Sequence, residues 1–136
     1  HGAANAILLP YVIHYNAACV LDGGKQAYFS QYKTQNSMSK YAQMAKELGL
    51  KGKNNEALVD SLIKTIQTLT KNVELSSSFK EYGVNEKTFL SSLDKMAEDA
   101  FDDQCTGANP RFPLIEDLKQ IYIDAYYGKA IPKFEK

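Results

Sequence analysis

The opening stretch "HGAANAILLPYVIHYNA" constrains the fold most. From Gly2 to Tyr15 it is apolar nearly all round and carries no formal charge. A helix with no polar face must be covered by other elements, so this segment predicts a central helix, buried on every side. Pro10 sits inside it. Its ring removes the hydrogen bond to Ala6 and predicts a kink there. Gly2, Ala3, Ala4 and Ala6 are small enough to let a second backbone come close.

The run is too short and too interrupted, by Pro10 and Tyr11, for the roughly 18 apolar residues of a membrane span. It also lacks the basic leader and small-residue cleavage site of a signal peptide. The 136 residues hold 16 Lys plus Arg and 16 Asp plus Glu. A balanced chain argues against a nucleic-acid surface, which needs a basic excess. Cys19 and Cys105 lie in no C-x-x-C pair, which excludes a disulfide framework and a zinc knuckle. Two reduced thiols and a cytoplasmic location are the expectation.

Nowhere do apolar and polar residues alternate as in a strand; helical spacing recurs instead. Met38, Tyr41, Ala42, Ala45 and Leu48 share one face, with Ser37 placed to cap the start and Gly49 the end. Leu58, Leu62, Ile63, Ile66, Leu69 and Val73 form a second stripe, entered through Asn54 and Asn55. Phe89, Leu93, Met96, Ala97 and Ala100 form a third, with Asn85 as cap. Leu114, Leu118, Ile121, Tyr122 and Ala125 form a fourth, closed by Gly128. Ser, Asn and Gly at these places are helix punctuation. Asp22 to Asn36, with Gly23, Gly24 and three aromatics, reads as a loop or short irregular helix. Glu74–Gly83 and Cys105–Pro113 read as connections, and the polar segment after Gly128 as loose. The expected fold is all-α: about five main helices around one core, with the proline-kinked first helix buried at its centre.

Residue types alone assemble no active site. His1 and His14 lie more than three turns apart at about 3.6 residues per turn, so they cannot share one metal on one helix. Gly23-Gly24-Lys25 lacks the rest of a phosphate loop. Asp102 and Asp103 end a helix, where carboxylates are unfavourable. At least one therefore needs a partner, either backbone amides of the following loop or Arg111.

Two stretches carry a family resemblance. The first reads, loosely, H-G-x-x-N-A-x-L-L-P-x-V-x-x-x-N, on His1, Gly2, Asn5, Ala6, Leu8, Leu9, Pro10, Val12 and Asn16. The second, within "AEDAFDDQCTGANPRFPLIEDLKQIY", reads A-x-x-D-x-C-x-x-x-N-P-R, on Ala100, Asp103, Cys105, Asn109, Pro110 and Arg111. Both resemble the iron-containing alcohol dehydrogenases. "YAQMAKELGL" and "FKEYGVNEKTFLSSLDKMAEDA" lie between them in family-like order. The end of the chain is similar to the subgroup in which such an enzyme forms the second half of a bifunctional aldehyde–alcohol dehydrogenase.

The resemblance implies that residues 1–136 are part of a C-terminal helical domain, with a nucleotide-binding domain upstream. It implies a catalytic metal, Fe(II) or Zn(II), held by one Asp and three His, of which His1 matches the last. The other ligands and the dinucleotide site would lie outside these residues, leaving the chain inactive alone. An NAD(P) cofactor, a small alcohol or aldehyde substrate and a homo-oligomer or filament follow from the same likeness. Cys105 matches a loop near the cleft and is the candidate cofactor contact; Asp103, Asn109 and Arg111 read as that loop's hydrogen-bond frame. Where relatives carry His and a basic residue this chain has Tyr11 and His14, neither a metal position. A helical interaction and assembly module is the alternative reading.

Overall fold

The structure, a computed structural model, describes residues 1–22 and 36–136. The connection expected at Asp22–Asn36 therefore lies almost wholly outside the described residues. Among them there are six α-helices, one 3-10 turn and no strand, as an all-α fold requires. Helix α1 is Gly2–Asp22, α2 Ser37–Glu47, α3 Asn55–Asn72, α4 Phe79–Tyr82, α5 Glu86–Asp102 and α6 Ile115–Tyr127. Five of these are long. The sixth, α4, is a single turn inside the expected connection, too short to show a period. No described helix is long and apolar enough to cross a membrane.

The caps follow side-chain chemistry. The Asn54 and Asn85 side chains accept from the N–H groups of Ala57 and Thr88, satisfying donors that a helix start leaves free. At α2 the cap is Asn36, which accepts from the Ser39 N–H, and not Ser37. Ser37 is already the first helical residue and is turned inward, its buried hydroxyl unpaired. Gly49 ends α2 at φ +77°, with Leu50 N–H on the Ala45 carbonyl and Gly49 N–H on that of Lys46. This pair of reversed bonds closes the helix through a left-handed residue. Glu74 ends α3 the same way at φ +60° without glycine's freedom.

The stripes become two cores, not one. Ile13 and Ala17 of α1 pack with Met38, Ala42 and Ala45 of α2 and Leu58, Val59, Leu62 and Ile63 of α3. Phe89 and Leu93 of α5 pack with Tyr126 of α6. Each large aliphatic side chain buried in these clusters contributes about 1.5–3 kcal/mol, whereas an exposed pair such as Lys95–Asp99 is screened by water and adds little. Helix α1 contacts α2, α3 and α6 and so joins the two clusters. It runs through Pro10 as one helix.

Within residues 1–136, the first turns of α1 are not covered on every side. Ile7, Pro10, Ile13, Asn16, Ala17 and Cys19 are buried, but His1, Gly2 and Asn5 are exposed and Leu9 is 44% exposed. Leu9 lines an apolar groove of about 660 Å³ with Ile13, Tyr41, Met44, Leu48 and Ile66. The far ends of the α2 and α3 stripes, Leu48, Leu69 and Val73, are also exposed.

The segment after Gly128 is not loose. Its Ile131 and Phe134 pack on the first cluster, and Phe134 stacks on His14 with centroids 4.4 Å apart. Burial lowers the His14 pKa from the ordinary 6.5, against Asp60, the Pro132 carbonyl, Asp124 and Asp22, which all pull upward. The fold thus favours neutral imidazole. Its stabilising effect is complete above the unfolded value and is lost as pH falls below it. We expect the thermal midpoint to drop between about pH 7.5 and about pH 5, and to drop less in His14→Phe, which keeps the stack but cannot charge. Calorimetry at the two pH values checks this; an identical drop in the variant would contradict it.

Candidate functional site

The candidate site is built on both ends of α1. At its start, the His1 carbonyl accepts from the Asn5 N–H at 3.1 Å, so His1 is the cap residue and the helix begins directly after it. Its side chain is exposed, and the space beside Gly2 is open. Toward the other end, Tyr15 and Asn16 receive the loop that follows α5, which contains the 3-10 turn Thr106–Ala108.

That loop is framed by the residues its sequence suggests. The Asp103 carboxylate accepts from the Cys105 N–H at 2.7 Å, the backbone-amide partner expected for one of the helix-ending acids. The Thr106 hydroxyl donates to the Ala100 carbonyl. Asn109 and Asn16 exchange amide hydrogen bonds of 2.9 and 3.2 Å across 93 residues of chain. Asn16 is buried and also reaches the Tyr41 hydroxyl at 3.3 Å, which ties α2 into the same point.

Arg111 fixes the loop a second time. Its guanidinium lies 4.0 Å from the Tyr15 ring centroid, donates to the Tyr15 carbonyl at 2.8 Å and meets Asp22 at 2.9 Å. A planar cation that stacks and donates at once suits this position; a lysine would do neither job in the same way. Among the described residues its buried Nε has no hydrogen-bond partner. The Tyr15 hydroxyl donates to Asp117 at 2.7 Å, and Asp117 also accepts from the Leu114 N–H at 3.0 Å, capping α6. Burial, then the Asp117 bond, push the Tyr15 pKa well above its ordinary value while Arg111 pulls it down, so Tyr15 remains a donor. Tyr15 and Asp117 were missed by sequence reasoning. An acidic residue in the first turn of α6 was the only signal for the second.

Cys105 is exposed at the cap of the 3-10 turn and Cys19 is buried, and no disulfide joins them. Among the described residues, His1 and Cys105 are not linked: His1 bonds to Asn5 and Cys105 to its own loop. The loop is anchored at Asn16, 15 residues from His1, or about 22 Å along α1 at 1.5 Å per residue. Among the described residues, no three His, Cys, Asp or Glu side chains converge to hold a metal. His1 fits as one exposed imidazole ligand, and the donors present do not complete a site.

These features define a helical domain in which one long helix carries an exposed histidine at its head and a doubly anchored N-P-R loop near its end. Residues 1–126 match the model of the Fe-containing alcohol dehydrogenase family, C-terminal. The chain belongs to that family. It is 47% identical over 131 residues to the bifunctional aldehyde-alcohol dehydrogenase of Escherichia coli (strain K12), which covers 95% of this chain and 14% of the relative. It is 46% identical over 125 residues to the aldehyde-alcohol dehydrogenase of Clostridium acetobutylicum, covering 92% and 14%. It is 40% identical over 131 residues to the NADPH-dependent butanol dehydrogenase of Clostridium saccharobutylicum, covering 96% and 29%. The chain therefore spans a minor part of the length of each.

Proposed function

We propose that residues 1–136 form part of the C-terminal helical domain of a nicotinamide-dependent alcohol dehydrogenase, with the nucleotide-binding domain supplied by other parts of the same enzyme. The observation that carries this is the meeting of the two family-like stretches on α1, through Asn16–Asn109 and Arg111–Tyr15, in a chain that matches the family over residues 1–126. The substrate class is small primary alcohols and their aldehydes. NAD(P) is the cofactor, and Cys105 is the candidate residue of this chain to contact it.

His1 is proposed as one ligand of an Fe(II) or Zn(II) ion. An imidazole suits either ion. The metal's contribution in such an enzyme is to lower the pKa of a bound hydroxyl and to polarise a carbonyl. The part played by this chain is orientation. Packing of Ile7, Pro10 and Ile13 fixes α1, and α1 fixes the direction of the residue that caps it. A cytoplasmic location and a homo-oligomer or filament belong to the same proposal. The apolar groove beside Leu9, Met44 and Leu48 favours the second reading, an assembly role, which is compatible with the first.

The 136-residue chain, given ethanol or butanol, NAD(P) and added Fe(II) or Zn(II), is expected to show no turnover, because the described residues hold neither a dinucleotide fold nor a full ligand set. Nicotinamide absorbance checks this. Sustained turnover would contradict the proposed division of labour.

A further inference from the structure

Residues 129–136 form no regular secondary structure, yet they are held at several points. The Tyr11 hydroxyl donates to the Lys129 carbonyl at 2.9 Å. The N–H groups of Phe134 and Glu135 donate to the two oxygens of Asp60 on α3, each at 2.9 Å. The Phe134 ring lies flat on His14, and Lys53 meets Glu135 at 2.7 Å. The segment thus crosses from the end of α6 over α1 to α3, held mainly by one carboxylate and one stacked ring.

It also covers something. A cavity of about 340 Å³ lies beside α1 and α6, with Tyr15, Arg111 and Asp117 among its lining residues. Lys129, Ala130, Ile131 and Pro132 of the segment line it as well. Helix α6 is already closed by Gly128 at φ +65°, so beyond this point only the Lys129 N–H bond to the Asp124 carbonyl belongs to the helix end. The family match stops at residue 126, before the segment begins.

We propose that residues 129–136 are a detachable strap, latched by Asp60 and seated on His14, that closes the cavity leading to the Tyr15–Arg111 anchor. Three hydrogen bonds to its backbone, one largely exposed ion pair and two half-buried apolar side chains are few enough to open without the helices. Such an opening costs less than global unfolding. Opening would bare the anchor of the loop that carries Cys105, which links the strap to that loop's position.

The test compares the full-length protein with Asp60→Ala, reading amide exchange and hydroxyl-radical labelling by mass spectrometry. The amides of Phe134 and Glu135 should exchange about 10-fold faster or more, as loss of their charge-assisted bonds implies. Labelling of His14 and Tyr15 should rise, while Phe89 and Tyr126 of the second core stay protected. A chain stopped at Ala130 should give the same labelling of His14. Unchanged exchange and labelling in Asp60→Ala would overturn the proposal. So would exposure of Phe89 and Tyr126 in either variant, since the segment would then be part of the core and not a strap over it.

Discussion

Replacing His1 with Ala in the full-length enzyme is expected to strip the metal and abolish alcohol oxidation, while any separate aldehyde-oxidising activity survives. One imidazole of a small ligand set would be gone, and the neighbouring residues offer no substitute: Gly2, Ala3 and Ala4 have no donor side chains. Loss of a mere outer partner of a ligand costs roughly 10–100-fold in metal affinity, and loss of the ligand itself should exceed that. Helix α1 should be unaffected, because His1 caps it through its backbone carbonyl, which Ala retains. Metal analysis and circular dichroism on the same sample separate the two effects. Full metal occupancy in the variant would refute the assignment.

The second large effect is expected at Arg111. Its ion pair with half-exposed Asp22 is worth little, about 1 kcal/mol or less. The charged bond to the Tyr15 carbonyl adds about 1.5–3 kcal/mol, and the stack on the Tyr15 ring about 0.5–2 kcal/mol. These contacts share one side chain and do not simply add, so Arg111→Ala should destabilise by about 2–4 kcal/mol, below their full sum and of the size seen when a buried polar network is broken. Arg111→Lys should recover only part, since it loses the planar stack. Urea unfolding of the 136-residue chain measures both. A loss below about 0.5 kcal/mol, the range of an ordinary surface substitution, would show that the loop does not depend on this anchor.

The parts legible in the sequence are those set by local chemistry. The stripes of α2, α3, α5 and α6 follow from helical periodicity, and Asn54, Asn85, Gly49 and Gly128 mark their ends. Where two good capping residues adjoin, as at Asn36 and Ser37, composition does not choose; the inward turn of Ser37 does. Helix α4 is too short for any period. Tyr126, buried and stacked on Phe89, is absent from the stripe read for α6 although it lies one turn after Tyr122, which packs on the same cluster. The division into two clusters depends on which stripes meet, and a stripe does not name its partner.

Segment 129–136 was misread for a related reason. Ile131 and Phe134 stand among Lys, Pro and Glu with no period, so nothing local signals that they are held. Their partners, His14 and Asp60, come from α1 and α3. The site shows the same limit. Spacing alone does not pair Asn16 with Asn109 or Tyr15 with Arg111 across more than 90 residues. Likeness to a family singled out Asn16, Asn109 and Arg111, and Tyr15 emerged only when the chain was folded.

The central claim is that His1, at the head of α1, is a metal ligand of an alcohol dehydrogenase. An anomalous difference map from crystals of the metal-loaded full-length protein, recorded at the iron or zinc edge, tests it most directly. The account predicts a peak at about 2.0–2.2 Å from a ring nitrogen of His1, with the remaining ligands drawn from outside residues 1–136. A fully occupied catalytic metal with the His1 ring turned away, beyond coordination distance, would contradict it.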